Sequence, residues 1–289
     1  MQEFITEPGE AGTRADVFVT SKYPAFTRSS LAALFKQQLI KIDGHPAKAS
    51  QKIRIGNRVL VDEQLLNSEP PTIELPIIYE DDDVVVMDKP SEVLTHSKGA
   101  LNPEGTVASF IKPRLNDSSL QGNRAGIAHR LDRATSGVII AAKNNLALKH
   151  LQKQFSNRKT KKTYLAIVEG VPEPHEGIID IPIARNPRHP KTFMASSLGK
   201  SAQTSYKVLK LIQKGDRDYA LLELKPTTGR THQLRVHLAY IKHPVVGDLL
   251  YGKESADGRL LLHAAELELT LPGGIRQTFK VTPPKDFKL

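Results

Sequence analysis

The chain has 289 residues, enough for about two domains, and 39% of them are hydrophobic, too many for a disordered polypeptide. Lys and Arg number 41 against 31 Asp and Glu, so the formal charge is +10 and a polyanionic partner such as nucleic acid becomes an expectation. There is no cysteine, which excludes a disulfide scaffold, a Cys-ligated metal and thiol catalysis.

The first eighteen residues carry acids where a secretory signal wants bases, and no apolar run approaches the length of a membrane span. A cytoplasmic location is therefore expected. Arg14 to Tyr23 reads as a short helix with Thr13 as its cap, and Thr27 caps a second helix with Leu31, Leu34 and Phe35 on one face. A strand and an Asp43-Gly44 turn follow, then two extended segments around Gly56-Asn57. Arg14 to Arg58 holds nine Lys or Arg against Asp16 and Asp43. These features suggest a small unit over 1–66, with the proline-rich stretch 67–76 as a linker and a larger domain over 77–289.

In the larger domain, an acidic turn precedes a strand ending at Asp88-Lys89-Pro90. GIAHR and GVIIAAK read as apolar strands. Asn144 or Asn145 caps a helix to about Asn157 with Ala147, Leu148, Leu151 and Phe155 inward. KKTYLAIVEG alternates as a strand, TSYKVLKLI and DYALLELKP form a hairpin, and THQLRVHLAYI is a helix. Two last strands meet at Pro272-Gly273-Gly274. Many strands with few intervening helices imply an α+β fold on a mixed, mainly antiparallel sheet.

No GxGxxG is present, and Gly199-Lys200-Ser201 lacks the first glycine and the strand-to-helix context of a phosphate loop. The histidines show no HExxH spacing, so neither a metal nor a cofactor is expected. Three polar clusters stand out. In Gly126 to Gly137, Asp132 lies between Arg130 and Arg133 in a turn joining two apolar segments. By itself this reads first as a structural turn carboxylate, with catalysis the lesser reading. In Lys225 to Arg235, Arg230 falls where a strand gives way to a helix, suited to a phosphate or a carboxylate. Lys143 to Lys162 holds seven Lys or Arg with no acid before Glu169, and Arg185 and Arg188 add a basic loop. Part of this is a solvated helix face, and its length without an acid favours a groove for a nucleic-acid backbone.

In order and spacing these segments resemble the RluA-type pseudouridine synthases over nearly the whole chain. Gly126 to Gly137, with His129, Arg130, Leu131, Thr135, Ser136 and Gly137 around Asp132, resembles the catalytic signature. Lys162 to Gly170 resembles the tyrosine motif, Gly229 to Leu238 the arginine motif, His243 to Gly252 the segment after it, and Val85 to Gly105 the opening of the catalytic domain. Arg14 to Val61 resembles the S4 RNA-binding domain, a small α/β unit. The resemblance implies isomerisation of uridine to pseudouridine in structured RNA by a cytoplasmic monomer without cofactor. Asp132 would be the catalytic carboxylate, Tyr164 the tyrosine that faces the base and helps remove the C5 proton, and Arg230 the partner holding Asp132. Leu261 or Leu262 would face the ring. Arg14, Arg28, Lys36, Lys41, Lys159, Lys161, Lys162, Arg185 and Arg188 would bind RNA. Ala134, Ala15 and Ser97 depart from the usual pattern.

The chemistry suits such a site. The N1–C1′ bond breaks, the base turns, and a C5–C1′ bond forms with no redox change. A carboxylate can attack C1′ or act as a base at the sugar, and a snug pocket holds the freed uracil. Bacterial large-subunit ribosomal RNA is the expected substrate. Transfer RNA, or an inactive RNA-binding assembly protein, is the alternative, and intact Asp132, Tyr164 and Arg230 speak against inactivity.

Overall fold

A computed structural model describes the chain except for residues 25, 68–70, 98–103 and 253–257. Part of the 67–76 stretch and part of the Val85 to Gly105 motif therefore lie outside the described residues. The chain forms two compact units, one of residues 1–73, 96–110 and 121–125, the other of 74–95, 111–120 and 126–289. The first unit thus takes in later segments that a single break near residue 67 does not anticipate. One reason is local: Ser109 Oγ donates to the Pro71 carbonyl at 3.3 Å, and a Cβ on Gly105 would fall 1.8 Å from Ile73.

The first unit carries β1 (Gln2–Ile5), α1 (Ala15–Lys22), α2 (Arg28–Lys36), β2 (Ile40–Ile42), β3 (His45–Pro46), β4 (Arg58–Val61) and α3 (Gln64–Asn67). The sheet runs β1-β4-β2-β3, wholly antiparallel. Phe18, Val19, Leu31, Leu34, Ile40, Ile53, Val59 and Val61 form its core. Thr27 caps α2 by accepting from the Ser30 amide at 3.3 Å. The cap of α1 is Arg14, not Thr13, and it makes no side-chain cap bond. Only Arg58–Val61 of the expected pair around Gly56-Asn57 is a strand.

The remaining elements are β5 (Ile77–Glu80), β6 (Val84–Lys89), α4 (Val107–Ile111), β7 (Ser136–Ala142), α5 (Asn145–Ser156), β8 (Lys161–Glu169), β9 (Glu176–Asp180), β10 (Ile183–Arg185), β11 (Phe193–Ala195), β12 (Gln203–Lys214), β13 (Arg217–Pro226), α6 (Gln233–Tyr240), β14 (Leu262–Thr270) and β15 (Arg276–Lys280). Nine strands make one sheet in the order β5-β6-β7-β14-β8-β13-β12-β9, with β15 also on β14. Among the described strands only β7 and β14 run parallel, so the mainly antiparallel expectation holds. GIAHR is not a strand and contributes a single bridge, Ile127 to Ala141.

Register brings the distant motifs together. Gly137 on β7 faces Ala264 on β14, Ala264 faces Tyr164 on β8, and Tyr164 faces Leu224 on β13. One line across three strands therefore joins the end of the Asp132 turn to Tyr164, and a fourth strand continues it to Leu224. Gly137 has φ +114°, and a Cβ there would lie 2.2 Å from the Ala264 carbonyl oxygen, so the crossing requires glycine.

Candidate active site

A cleft of about 440 Å³ opens where these motifs meet, within the range of small-ligand sites. Asp132, Tyr164, Lys162, Arg230, His232 and Leu262 are among its walls. His129, Arg130, Leu131 and Thr135 line it too, whereas Leu261 is buried in the core beneath.

The Asp132 turn is fastened at almost every residue. Thr95 Oγ1 accepts from the Leu131 amide at 3.2 Å and donates to the Leu131 carbonyl at 2.9 Å. Ser91 donates to the Ala134 carbonyl at 2.8 Å, and the Thr135 amide closes the turn onto the Asp132 carbonyl at 3.1 Å. Lys89, at the end of β6, is fully buried and donates to the carbonyls of Pro90 (2.7 Å), Val93 (2.8 Å) and Arg133 (3.1 Å). Burial pulls its ammonium down to about 7, although three carbonyl acceptors suit the three donors of the charged form. His129 packs on Phe155 at 4.4 Å and accepts from the Ile140 amide at 3.1 Å. Burial, reinforced by Lys162, holds it neutral with a pKa near 3.

The arginine beside Asp132 is not the expected one. Arg230 donates from Nε to the Ser201 carbonyl at 3.0 Å and makes no ion pair with Asp132 among the described residues. Arg235 stands 3.8 Å from the carboxylate instead. The reason is the point where α6 begins. His232 is the N-terminal cap and Arg235 lies within the first turn, within reach of Asp132, while Arg230 precedes the helix. Arg235 is held by a two-pronged bond to Asp248, at 2.7 Å and 2.6 Å. Burial opposes its charge, but the Asp248 bonds and the nearby Asp132 outweigh burial and raise its pKa. The His232 ring also approaches Asp132, at 3.9 Å. Sequence reasoning missed Arg235, His232, Asp248 and Lys89. The same arginine motif held the first two, but the helix start was not legible to within the necessary residue.

Tyr164 is half-buried, and its desolvation together with the Asp132 charge drives its phenol above the usual range. It keeps its proton at neutral pH. Lys162, two residues earlier on the same face of β8, is also half-buried, donates to the Thr228 carbonyl at 3.3 Å, and is pulled down to about 8 by desolvation.

The candidate RNA contacts differ among themselves. Arg14 and Arg28 both bind the buried carboxylate of Asp16, at 2.8 Å and 3.0 Å. Lys161 pairs with Glu268 at 3.2 Å. Lys36, Lys159 and Arg188 are exposed, Lys41 is half-buried, and exposed Arg185 lies over the Phe193 ring at 5.0 Å. Among the described residues no group of three or more His, Asp or Glu is placed to hold a metal, and no helix is long and apolar enough to cross a membrane.

Residues 83–240 match the family described as RNA pseudouridylate synthase, and the chain belongs to that family. It is therefore an RNA pseudouridine synthase, an isomerase of uridine in RNA. It is 41% identical over 260 residues to an uncharacterized RNA pseudouridine synthase of Aquifex aeolicus, covering 88% of this chain and 81% of that one. It is 35% identical to ribosomal large subunit pseudouridine synthase D of Borreliella burgdorferi, covering 96% and 88%. Among solved structures, human RNA pseudouridylate synthase domain containing 1 matches with a TM-score of 0.59 at 29% identity, over 75% of this chain and 86% of that one.

Proposed function

We propose that the protein isomerises uridine in large-subunit ribosomal RNA, with Asp132 as the reacting carboxylate. The observation that carries the assignment is Asp132 on a rigidly fastened turn at a cleft, flanked by Arg235 and His232. The Borreliella burgdorferi relative named for the ribosomal large subunit supports the choice of substrate.

Arg235 stands beside the carboxylate and orients its oxygens. Asp132 then attacks C1′ or removes a proton from the sugar, and uracil leaves as the N1–C1′ bond breaks. Tyr164 and Leu262 confine the freed base while it turns. C5 bonds to C1′, N1 gains a proton, and C5 loses one. Tyr164 could remove that proton only as a phenolate, which burial and Asp132 both oppose. We therefore assign Tyr164 to holding the base, and loss of the C5 proton to the carboxylate freed when the C5–C1′ bond forms.

The target uridine leaves its stack to enter the cleft, at about a few kcal/mol. Lys36, Lys41, Lys159, Lys162, Arg185 and Arg188 supply phosphate contacts. In the S4-like N-terminal unit, Arg14 and Arg28 act mainly as structural partners of Asp16. A cytoplasmic monomer accompanies this reading, one chain carrying the complete set of motifs. Pseudouridine mapping of cellular RNA with and without the gene is the test. Loss of sites in the large-subunit RNA is expected, and loss confined to transfer RNA would overturn the choice of substrate.

A further inference from the structure

Tyr251 occupies a position that the reaction as described above does not use. Its hydroxyl is 2.8 Å from the Phe193 amide and 2.8 Å from His232 Nδ1. Its ring lies 5.2 Å from the Arg235 guanidinium. It therefore touches both groups that flank Asp132, and its hydroxyl bonds link β11 to His232.

These distances fix a proton arrangement. The Phe193 amide can only donate, so the Tyr251 oxygen accepts from it. The single phenolic proton then points to His232, and Nδ1 of the ring accepts it. A neutral His232 must carry its proton on Nε2, the nitrogen 3.9 Å from Asp132. The other tautomer leaves the phenolic proton without an acceptor among the described residues and turns a nitrogen lone pair toward a carboxylate. Burial, only partly countered by Asp132, holds the pKa of His232 below its ordinary value, so the neutral ring is the form at pH 7. His232 also adopts φ +56°, a left-handed conformation that a histidine takes up at a cost. That conformation places the ring between Phe193 and Tyr251, edge to face with each at 5.6 Å.

We propose that His232 is a positioning residue for Asp132, presenting Nε2–H to the carboxylate, and that Tyr251 sets this tautomer. The separation of 3.9 Å exceeds a hydrogen bond, and closure by about an ångström on substrate binding makes one. Arg235 and His232 then approach different oxygens, Oδ2 and Oδ1, and fix the rotation of the carboxylate. Phe193 also carries the consequence outward. It lies opposite Arg185 in the β10–β11 hairpin, so an RNA strand bound at exposed Arg185 meets the element that aims the Tyr251 hydroxyl.

The inference rests on Asp132 as the reacting carboxylate, and the test separates the two. Long-range ¹H–¹⁵N correlation spectra of the full ¹⁵N-labelled chain read the tautomer directly, with the His232 signals identified by their loss in His232→Gln. Protonated Nε2 and bare Nδ1 are expected, and protonated Nδ1 overturns the inference whatever the activity. In single-turnover assays on RNA, Tyr251→Phe should slow isomerisation roughly 10- to 100-fold, the value of one hydrogen bond to a charged group, with RNA affinity unchanged. His232→Gln, whose amide nitrogen reaches the Nε2 position, should retain more of the rate than His232→Asn. A wild-type rate in Tyr251→Phe, or an Asn variant as fast as Gln, overturns the inference. If Asp132→Ala is inactive in the same assay, only the inference falls; if Asp132→Ala is active, the underlying assignment falls first.

Discussion

Replacing Arg235 with lysine keeps a positive charge and removes the planar fork. The Arg235 side chain is 7% exposed and that of Asp248 is 0% exposed, so solvent cannot replace what is lost. Asp248 Oδ1 retains the amides of Leu250 and Tyr251, but among the described residues Oδ2 has only Arg235 Nε as a hydrogen-bond donor. A lysine ammonium can serve one of the two oxygens. One charge-assisted bond in a buried pair is worth about 1.5–3 kcal/mol. For a domain of this size that lowers the melting temperature by about 3–12 °C. The same change misplaces the charge beside Asp132 and should slow single-turnover isomerisation roughly 10- to 100-fold. Arg230→Lys is the internal control, because Arg230 has one bond to the Ser201 carbonyl and none to Asp132. Its stability should stay within about 0.5 kcal/mol and its rate within about threefold. Calorimetry and release of tritium from C5-labelled uridine in RNA measure both. An Arg230→Lys rate as low as that of Arg235→Lys, or an Arg235→Lys protein matching wild type in both, would refute the reasoning.

Other outcomes follow from the same geometry. Gly137→Ala should destabilise the protein by about 2–4 kcal/mol in urea titration, since its Cβ would meet the Ala264 carbonyl at 2.2 Å on a left-handed backbone. Wild-type stability there would show that β7 and β14 can separate freely. Lys89→Met leaves three carbonyls without their shared donor and should cost about 2–4 kcal/mol while slowing turnover through the Arg133 attachment. Acid should also destabilise the fold. Burial holds His129 near 3, and it lowers His237 and His263 as well. The unfolded chain therefore binds more protons than the folded one below the ordinary histidine value. This stability is fully present above about pH 6.5 and is lost as pH falls toward 3, at up to about 1.4 kcal/mol per pH unit for each residue. Thermal melts from pH 7 to 5 test it, and a flat profile contradicts it. RNA affinity should fall with salt, with a log–log slope of about 4 for six phosphate contacts on irregular RNA.

The motifs were legible because their residue types are unusual together. An Asp between arginines, a tyrosine inside an alternating strand, and an arginine-rich helix start mark the three walls of the cleft. Their convergence was not legible, because it depends on strand register. Gly137, Ala264 and Tyr164 align through the parallel pairing of β7 with β14 and the antiparallel pairing of β14 with β8. The choice between Arg230 and Arg235 turned on where α6 begins. His232 takes a left-handed conformation there, which residue preferences do not favour. Lys89 looked like the end of a strand. Its burial depends on carbonyls from residues 90, 93 and 133, and the last of these is remote in sequence. The short strands β9, β10 and β11 carry too few residues, interrupted by Pro182, Pro187 and Pro190, to show a period. Yet β11 supplies the amide that orients Tyr251.

The role of Asp132 is tested most directly by assaying purified Asp132→Ala and Asp132→Asn proteins on large-subunit RNA, with pseudouridine formation and RNA binding measured on the same preparations. Loss of all pseudouridine with RNA affinity close to wild type is expected. Pseudouridine formed at the wild-type rate by Asp132→Ala would contradict the assignment of the reaction to this carboxylate.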